Sequence, residues 1–338
     1  MIIRENYSLK SLNTFGINVD AKYFTEVASI NDIGETSGFI RSGQMNHLIL
    51  GGGSNILFTK NFDGIVLKIS LRGVELVKED SEHYYVKAMA GENWDEFVDY
   101  CVTHNYAGLE NLSLIPGTVG ASPIQNIGAY GAEIKDTFHE LEMLDLETGK
   151  IIVMKTEECR FEYRNSIFKN ELKGKIIILS VTFRLNKTPS LLTEYGAIRD
   201  ELVKMGIKKP TIQNIREAVI SIRQSKLPDP NEIGNAGSFF KNPSVTAFVH
   251  SDLKNRYPNL VSFPQKDGTN KLAAGWLIEQ CGWKGRRAGD AGVHEKQALV
   301  IVNYGNAGGN EILDLSEKIK QSVLDKFGVA LEREVNVV

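Results

Sequence analysis

The segment Gly51-Gly-Gly-Ser-Asn55 combines three consecutive glycines with two small polar residues. Such a run lets successive backbone N–H groups point into one concavity, which suits a pyrophosphate. The G-x-G-x-x-G spacing of a Rossmann dinucleotide site is absent, and Ile56-Leu-Phe58 has the character of a strand where a helix would have to begin. On the residues alone, a phosphate-binding loop and a tight glycine hairpin between strands 47–50 and 56–58 are equal alternatives.

A second glycine-rich stretch runs from Ile115 to Ile134 and contains four glycines and two prolines. This composition disfavours helix and strand alike, and a long irregular segment inside a packed protein is more often a ligand-binding element than a plain connection. We interpret it as a ligand cradle, with a structured Ω-type loop as the alternative. Neither glycine stretch contains G-K-[ST], which excludes a Walker-type phosphate loop.

Three further positions carry side chains that could act on a substrate. Arg164 alternates with aromatic residues and is either an ion-pair partner of Glu162 or a fixed cation directed at a developing negative charge, and on these residues alone the structural ion pair is favoured. Ser238 follows a glycine, but two phenylalanines come after it, so it is not the nucleophile of a G-x-S-x-G elbow, and a hydrolase is disfavoured. Glu334 is one of two carboxylates near the end of the sequence, where acidic side chains are usually solvated.

Composition excludes several classes of protein. The 338 residues include 39 Lys and Arg against 42 Asp and Glu, for a formal charge of −3, so a global basic field for nucleic acid is absent. The three cysteines lie far apart without metal-ligand spacing, which excludes a disulfide framework and a cysteine zinc site and predicts a reducing, cytoplasmic location. We expect neither a signal peptide nor a membrane-spanning helix, because no apolar stretch approaches the required ~18 residues. At ~150 residues per domain, the length suggests two or three domains.

Hydrophobic periodicity predicts the elements that must position these residues. Residues 92–104, for example, place apolar side chains at i, i+3, i+4, i+7 and i+8, which is typical of an amphipathic helix. The sequence predicts strands at 47–50, 56–58, 65–69, 176–185, 298–303 and 330–338, a β-hairpin at 141–154, and helices at 92–104, 214–223, 272–281 and 311–327. Prolines 228 and 230 make 227–231 a stiff break, where we place a domain boundary. The pattern is α+β.

Taken together and in this order, the motifs resemble those of the UDP-N-acetylenolpyruvoylglucosamine reductase family, from about Asn13 to Val335. The matching segments are NTFG from 13, LGGGSN from 50, IPGTVGASPIQNIGAYG from 115, CRFEYRNSIFK from 159, KLPDP from 226, NAGSFFKNP from 235, KLAAGWLIEQCG from 271, HEKQALVIVN from 294 and LEREV from 331. The resemblance implies a cytoplasmic FAD-dependent oxidoreductase that uses NADPH to reduce UDP-N-acetylglucosamine enolpyruvate to UDP-N-acetylmuramate, in peptidoglycan precursor synthesis.

The resemblance also implies the architecture. It predicts an α+β protein with a two-subdomain FAD-binding fold of the vanillyl-alcohol-oxidase (PCMH) type and a C-terminal α+β substrate-binding subdomain. The first FAD subdomain would comprise 1–69 with 328–338, the second 70–227, and the substrate subdomain 228–327.

Binding residues follow from the same resemblance. Those that would bind FAD without a covalent bond are Gly51, Gly52, Gly53, Ser54, Asn55, Ile115, Pro116, Gly117, Thr118, Gly120, Ser122, Gln125, Asn126, Gly128 and Gly131. Those that would contact the sugar nucleotide are Tyr195, Lys226, Asn242, Phe263 and Gln297. Tyr195 matches the tyrosine of the mobile loop in the first type of this family. Phe263 stands where relatives have a tyrosine against the diphosphate, so we expect one hydroxyl contact to be missing.

Arg164, Ser238 and Glu334 match the family's catalytic positions. Hydride addition to an enol ether conjugated with a carboxylate builds negative charge on that carboxylate, and a fixed cation such as Arg164 would stabilise it. Ser238 would donate the proton to the carbon that bears the ether oxygen. Glu334 would lie beside the substrate carboxyl group, with a pKa raised by burial and by like charge.

Two other functions are alternatives to this one. An oxidase on the same scaffold would use oxygen to reoxidise the flavin, but such enzymes often tether FAD through a His or Cys near the first glycine loop, and 51–55 contains neither. In a non-catalytic flavin-binding protein, Arg164, Ser238 and Glu334 would serve stability alone. We expect a monomer that binds a small sugar nucleotide and neither nucleic acid, membrane nor metal.

Overall fold

The computed structural model describes residues 2–43 and 45–338 and separates into two compact units. The first comprises Met1–Tyr7, Asp20–Gly53 and Phe62–Ser225, and the second comprises Ser8–Val19, Ser54–Asn61 and Lys226–Val338. Met1 and Gln44, both within the predicted 1–69 subdomain, lie outside the described residues. The division into three subdomains stays a prediction.

Strands and short helices alternate along the chain. The strands are β1 (Arg4–Ser8), β2 (Asp20–Val27), β3 (His47–Leu50), β4 (Ile56–Leu57), β5 (Phe62–Ile69), β6 (Val74–Glu79), β7 (His83–Met89), β8 (Gly128–Ala129), β9 (Ala132–Glu133), β10 (Phe138–Asp145), β11 (Ile151–Lys155), β12 (Ile176–Asn186), β13 (Gly234–Ser238), β14 (Ser244–Val245), β15 (Ser262–Pro264), β16 (Asn270–Leu272), β17 (Arg287–Ala288), β18 (Ala291–Val293), β19 (Val300–Asn303) and β20 (Asn336–Val337). The α-helices are α1 (Ile30–Gly43), α2 (Trp94–Thr103), α3 (Gly196–Lys204), α4 (Ile212–Lys226), α5 (Ala247–Arg256), α6 (Ala274–Gln280) and α7 (Gly309–Phe327).

Two main sheets organise the first unit. One has the strand order β1-β2-β5-β3, with β5 parallel to both β2 and β3. The other is antiparallel, with the order β11-β10-β12-β7-β6. Each contains an interior strand that is apolar on both faces, because residues 65–67 of β5 and 176–179 of β12 are all buried.

Helix α2 forms where the apolar stripe predicts it. Trp94, Phe97 and Val98 are buried on its inner face. Asn93 is the N-cap, and its side-chain oxygen accepts the N–H groups of Asp95 at 2.9 Å and Glu96 at 3.2 Å. Helix α2 therefore begins at a well-defined residue. The position of the 115–131 segment depends on this start.

The second unit contains smaller sheets with the orders β13-β19-β18-β17, β14-β16-β15 and β20-β4. Helix α7 buries apolar side chains that include Ile312, Leu315 and Ile319. It ends at Gly328, whose φ of +67° is the left-handed conformation that glycine adopts most easily after a helix.

Two sequence-based expectations are wrong. The glycine-hairpin alternative for 51–55 fails because the flanking strands do not pair with each other: β3 pairs with β5, and β4 pairs with β20. The strand predicted at 330–338 is reduced to β20, because residues 332–334 meet 239–241 through one isolated bridge rather than a ladder. The remaining predicted elements are confirmed with shifted ends. Across the described ranges, no helix has both the length and the apolar character needed to cross a membrane.

Candidate active site

The glycine loop, 51–55, begins directly after β3. A Cβ atom at Gly51 would lie 2.7 Å from Thr118 Oγ1, and one at Gly52 would lie 2.8 Å from Gly117 Cα. Real Cβ atoms do not come this close to other atoms, so only glycine lets the loop approach the 115–131 segment. Gly53 adds a φ of +66°, which also favours glycine. Within the first unit, residues 51–53 and the 115–131 segment therefore meet, largely through their backbones.

Lys68 is a residue that the sequence reasoning missed. It lies in β5, and its ammonium group donates a hydrogen bond to the carbonyl oxygen of Gly51. Burial lowers the pKa of Lys68 because desolvation disfavours the charged form, while nearby Glu26 opposes this effect. The available signal was a lysine inside the otherwise apolar run 65–69, since a charge in such a run is rarely without a partner.

The chain from the end of β7 to the first residue of α2 fixes the backbone of the 115–131 segment. Gly120 donates its N–H to the carbonyl oxygen of Ala90 at 2.9 Å, and Trp94 donates its N–H to the carbonyl oxygen of Gly117 at 3.1 Å. Gly120 has no room for a side chain, because a Cβ atom would lie 2.5 Å from Cβ of Ala90. The predicted cradle therefore has one defined backbone path.

Asn126 and Ser122, two of the predicted FAD residues in the 115–131 segment, have side chains that are bonded within the protein itself. Asn126 is fully buried, and its amide donates to Glu133 Oε2 at 2.9 Å and to the carbonyl oxygen of Glu162 at 3.0 Å. Ser122 is also buried and donates to the carbonyl oxygen of Val119 at 2.7 Å. These two side chains shape the segment, so their contact with a cofactor would come from the backbone.

The other predicted FAD residues differ in exposure. Thr118 is buried, as is Gly53. The half-buried positions are Gly51, Gly52, Ser54, Asn55, Ile115, Gly117, Gly120, Gln125 and Gly128, and the exposed ones are Pro116 and Gly131.

Arg164 lies on a tight turn in which Glu162 and Asn165 exchange backbone hydrogen bonds of 3.0 and 3.2 Å. Its φ is +53°, in the left-handed region that residues other than glycine rarely adopt. The guanidinium donates to the carbonyl oxygen of Gly128 at 2.5 Å and lies 5.3 Å from the ring centre of Tyr163. The turn thus brings Arg164 to the 115–131 segment, at the opposite end of that segment from its contact with the glycine loop.

Tyr195 is the N-cap residue of α3 and is 47% exposed. Its ring packs edge-to-face on Tyr130, with the ring centres 5.6 Å apart and an angle of 84° between the planes. Tyr130 belongs to the 115–131 segment, and burial raises the pKa of its phenol, an effect that Arg223 opposes. In the first unit, residues 51–53, Arg164 and Tyr195 therefore all contact the 115–131 segment.

In the second unit, Ser238 and Glu334 lie on adjacent stretches of backbone. Ser238 ends β13, and the carbonyl oxygen of the next residue, Phe239, accepts the N–H of Glu334 at 2.9 Å. Gly237 has a φ of +67°, and its N–H donates to Asn235 Oδ1 at 2.9 Å. This irregular end of β13 sets the position of Ser238, because the register of β13 against β19 shifts between 235 and 238.

Glu334 is also bonded to Asn55, the last residue of the glycine loop, which belongs to the second unit as well. Asn55 Nδ2 donates to the carbonyl oxygen of Glu334 at 3.4 Å, and the carbonyl oxygen of Asn55 accepts from the backbone N–H of Asn336 at 3.2 Å. Glu334 is half-buried, whereas the Glu332 side chain is 71% exposed and pairs with Lys241 at 2.5 Å. The expected rise in the pKa of Glu334 stays a prediction.

The four predicted sugar-nucleotide contacts of the second unit lie on separate elements. Lys226, at the end of α4, is exposed, and Phe263 in β15 is 44% exposed. The side-chain oxygen of Asn242 accepts the N–H of Ala274, the first residue of helix α6, at 2.9 Å. The side-chain oxygen of Gln297 accepts the N–H of Leu299 at 3.3 Å. In the part of the chain that the structure describes, no group of three or more His, Cys, Asp or Glu side chains is arranged to bind a metal ion.

Comparison with known proteins identifies the family. Residues 21–155 match the family model described as an FAD-binding domain, and residues 229–338 match the C-terminal domain of UDP-N-acetylenolpyruvoylglucosamine reductase. The UDP-N-acetylenolpyruvoylglucosamine reductases of Amoebophilus asiaticus and Flavobacterium johnsoniae are 50% and 48% identical to the chain, with 100% of both proteins covered. That of Pseudomonas putida is 49% identical, covering 99% of this chain and 98% of the relative.

A crystal structure of the Thermus caldophilus reductase shares the fold, with a TM-score of 0.68 at 24% identity and 99% of each chain covered. This likeness and the two matched domains confirm the predicted α+β fold class. Since full-length relatives keep about half of its residues, the chain belongs to the UDP-N-acetylenolpyruvoylglucosamine reductase family of FAD-dependent oxidoreductases.

Proposed function

We propose that this chain reduces UDP-N-acetylenolpyruvoylglucosamine to UDP-N-acetylmuramate with NADPH and non-covalently bound FAD, in peptidoglycan precursor synthesis. The observation that carries the proposal is the position of the 115–131 segment. It meets the glycine loop at Gly117 and the Arg164 guanidinium at Gly128. One segment thus joins a surface suited to phosphates to a fixed cation suited to a carboxylate.

The residues of the first unit fit a dinucleotide cofactor. Gly51 and Gly52 present backbone without side chains, and Lys68 supplies a cation beside the same loop. A pyrophosphate is favoured by such a combination of N–H dipoles and positive charge. Bound there, FAD supplies the hydride carrier that links oxidation of NADPH to reduction of the enolpyruvyl group.

We assign Arg164 to the substrate carboxylate. As hydride adds to the distal vinyl carbon, negative charge develops on that carboxylate, and a cation fixed in advance stabilises this charge more than it stabilises the ground state. The left-handed turn and the bond to Gly128 fix Arg164 before substrate arrives. Loss of one such donor lowers rates by roughly 10²–10³-fold in other enzymes.

We assign Ser238 to protonation of the carbon that bears the ether oxygen, and Glu334 to the substrate carboxyl group. A serine hydroxyl is a weak acid, but the enolate is a strong base, so position matters more than acidity. The backbone hydrogen bond between Phe239 and Glu334 supports a joint role, since it places the two catalytic candidates on neighbouring chains.

We assign the remaining contacts to the sugar nucleotide. Lys226 supplies positive charge for the diphosphate. Asn242 and Gln297 use their amide oxygens within the protein, so their amide nitrogens are the donors for a ligand. Phe263 offers only an apolar surface. The contact between Tyr195 and Tyr130 supports a role for Tyr195 above the 115–131 segment when substrate binds.

The proposal is tested with the purified full-length protein. We expect a yellow protein that releases FAD on acid treatment, and NADPH oxidation that accelerates when UDP-N-acetylenolpyruvoylglucosamine is added. UDP-N-acetylglucosamine, which lacks the enolpyruvyl group, is the matched control and should not accelerate the reaction.

A colourless protein that does not take up FAD, or NADPH oxidation indifferent to the enolpyruvyl nucleotide, would contradict the proposal. NADPH oxidation that instead follows oxygen, with release of hydrogen peroxide, would favour the oxidase alternative.

We further propose a monomeric, cytoplasmic enzyme. The cysteines are free thiols, of which Cys101 and Cys159 are buried, as expected for a reducing compartment. Light scattering on the purified protein measures the mass, and a dimer would contradict the first part of this proposal.

A further inference from the structure

Leu114, the residue just before the 115–131 segment, has an unusual backbone conformation. Its φ is +58°, in the left-handed region. A leucine is disfavoured there because its Cβ crowds the following carbonyl oxygen. Such a conformation persists only where the surroundings determine it strongly.

The backbone groups of Leu114 are both bonded to charged side chains. Its N–H donates to Asp95 Oδ1 at 2.5 Å, and its carbonyl oxygen accepts from Arg223 Nε at 3.2 Å. Hydrogen bonds with a charged partner are stronger than those between neutral groups. These two bonds therefore account for the left-handed turn at a residue that is not glycine.

Asp95 is itself held in place. Arg216, on α4, makes a two-pronged contact with its carboxylate, with Nη1 to Oδ1 at 2.6 Å and Nη2 to Oδ2 at 3.2 Å. The side chains of Arg216 and Asp95 are only 12% and 26% exposed, so water screens the pair weakly. Arg216 also bonds Asp99, one helical turn farther along α2, through Nε at 3.0 Å.

The same first turn of α2 bonds the chain on both sides of Leu114. The indole N–H of Trp94 donates to the carbonyl oxygen of Leu112 at 2.8 Å, and its backbone N–H donates to that of Gly117 at 3.1 Å. The bond from the Leu114 N–H to Asp95 lies between these two bonds, at the residue where the chain turns. The 115–131 segment therefore leaves helix α2 in a direction that Asp95 helps to set.

We propose that Asp95 is a positioning residue for FAD, which it does not touch: by fixing the left-handed turn at Leu114, it holds the 115–131 segment in the conformation that binds the flavin. The inference rests on the proposed function, because it takes this segment to be part of the FAD site. A segment ordered in advance binds its ligand more tightly, since less conformational entropy is lost on binding.

The test measures FAD binding to the full-length apoprotein by quenching of flavin fluorescence, together with the melting temperature of each apoprotein. We expect Asp95→Ala to raise the FAD dissociation constant about tenfold and Asp95→Asn to raise it less, because an amide oxygen still accepts the Leu114 N–H. Asp99→Ala is the matched control: it removes an Arg216 partner from the same helix but no bond to Leu114, and the dissociation constant should stay within twofold.

A second variant separates positioning from plain stability. Asparagine adopts the left-handed region more readily than leucine. Leu114→Asn in the Asp95→Ala background should therefore recover about threefold or more of the lost affinity, whereas it cannot replace the ion pair between α2 and α4. If Asp95→Ala fails to fold, the same rescue is measured on Asp95→Asn.

The inference is overturned if the Asp95 variants bind FAD as tightly as Asp99→Ala while melting at lower temperature, because the residue would then only stabilise the fold. It is also overturned if Leu114→Asn gives no rescue. Wild-type protein that does not bind FAD at all would remove the proposed function as well, which separates the two failures.

Discussion

The 115–131 segment of the first unit and the Ser238–Glu334 region of the second unit are built in opposite ways. The first depends on backbone: Gly52 approaches Gly117 too closely for any side chain, and helix α2 bonds the peptide groups directly. The second presents two polar side chains, Ser238 and Glu334, on neighbouring backbones that share two hydrogen bonds. The first region should therefore tolerate no added volume, and the second should tolerate no lost functional group.

The largest expected effect comes from the second region. Ser238→Ala should slow reoxidation of the reduced flavin by the enolpyruvyl nucleotide by roughly 10²–10⁴-fold, because a general acid is lost. Reduction by NADPH and the FAD dissociation constant should stay unchanged. Stopped-flow absorbance measures the two half-reactions separately, and Ser244→Ala, at an exposed serine of β14, is the control. Equal loss in both half-reactions would remove Ser238 from its assigned role.

Substitutions in the first region should instead weaken FAD binding. Gly52→Ala places a Cβ atom 2.8 Å from Gly117 Cα, so the two glycine-rich segments must separate. We expect FAD affinity to fall by about tenfold or more, which corresponds to about 1.4 kcal/mol. Gly34→Ala in α1, where a Cβ atom meets nothing within 4 Å, is the control. Unchanged flavin binding in Gly52→Ala would show that the contact between the segments is dispensable.

A smaller effect is expected at Lys68. Lys68→Met keeps much of the side-chain volume but removes the bond to Gly51 and the positive charge near the glycine loop. We expect the FAD dissociation constant to rise about three- to tenfold, and its dependence on salt to weaken. Lys22→Met, at an exposed lysine that pairs with Asp63, should change neither quantity. If Lys68→Met binds FAD like wild type at every salt concentration, the lysine serves only to support the loop.

The smallest effect concerns Glu110, which is 2% exposed and accepts the N–H of Gly108 at 2.6 Å. Burial raises its pKa, because desolvation penalises the carboxylate. The native state then binds a proton more tightly than the unfolded state, so this residue's contribution to stability is complete below pH 4.5 and is lost as pH rises through the folded pKa.

Glu110→Gln keeps an acceptor for Gly108 and removes this loss. We expect the melting temperature of Glu110→Gln, relative to wild type, to be about 2 °C higher at pH 8 than at pH 5. Differential scanning fluorimetry at both values checks this, with Glu147→Gln, at an exposed glutamate, as the control. A difference independent of pH would mean that Glu110 has the same ionisation in the folded and unfolded states.

Regular elements could be predicted from sequence where one physical signal dominates. The apolar stripe of α2 and the continuous apolar run of β12 each predicted an element whose ends lie within two residues of the predicted ones. The glycine loop was ambiguous, because phosphate-binding loops and hairpins use the same residue type. The pairing of β4 with β20 decides between them, and β20 lies almost at the other end of the sequence from the loop.

The finer geometry of the candidate site was not predictable in the same way. Nothing in the sequence signals a left-handed turn at Leu114, since it depends on Asp95 and Arg223 from two other helices. The roles of Ser238 and Glu334 came from resemblance and not from spacing, because the residues that bring them together lie far apart in the sequence. Lys68 could have been predicted, because a lysine within an apolar run is visible in the sequence.

The bond between Asn55 and Glu334 has a consequence for folding. It spans 279 positions, so it forms only after residue 334 has been synthesised, long after the glycine loop. Closing a flexible loop of that length costs about 5 kcal/mol beyond a constant, unless the intervening chain is already folded. We therefore expect the contact between the glycine loop and Glu334 to form last in refolding, so that the ability to turn over substrate returns only after the contacts that are local in sequence.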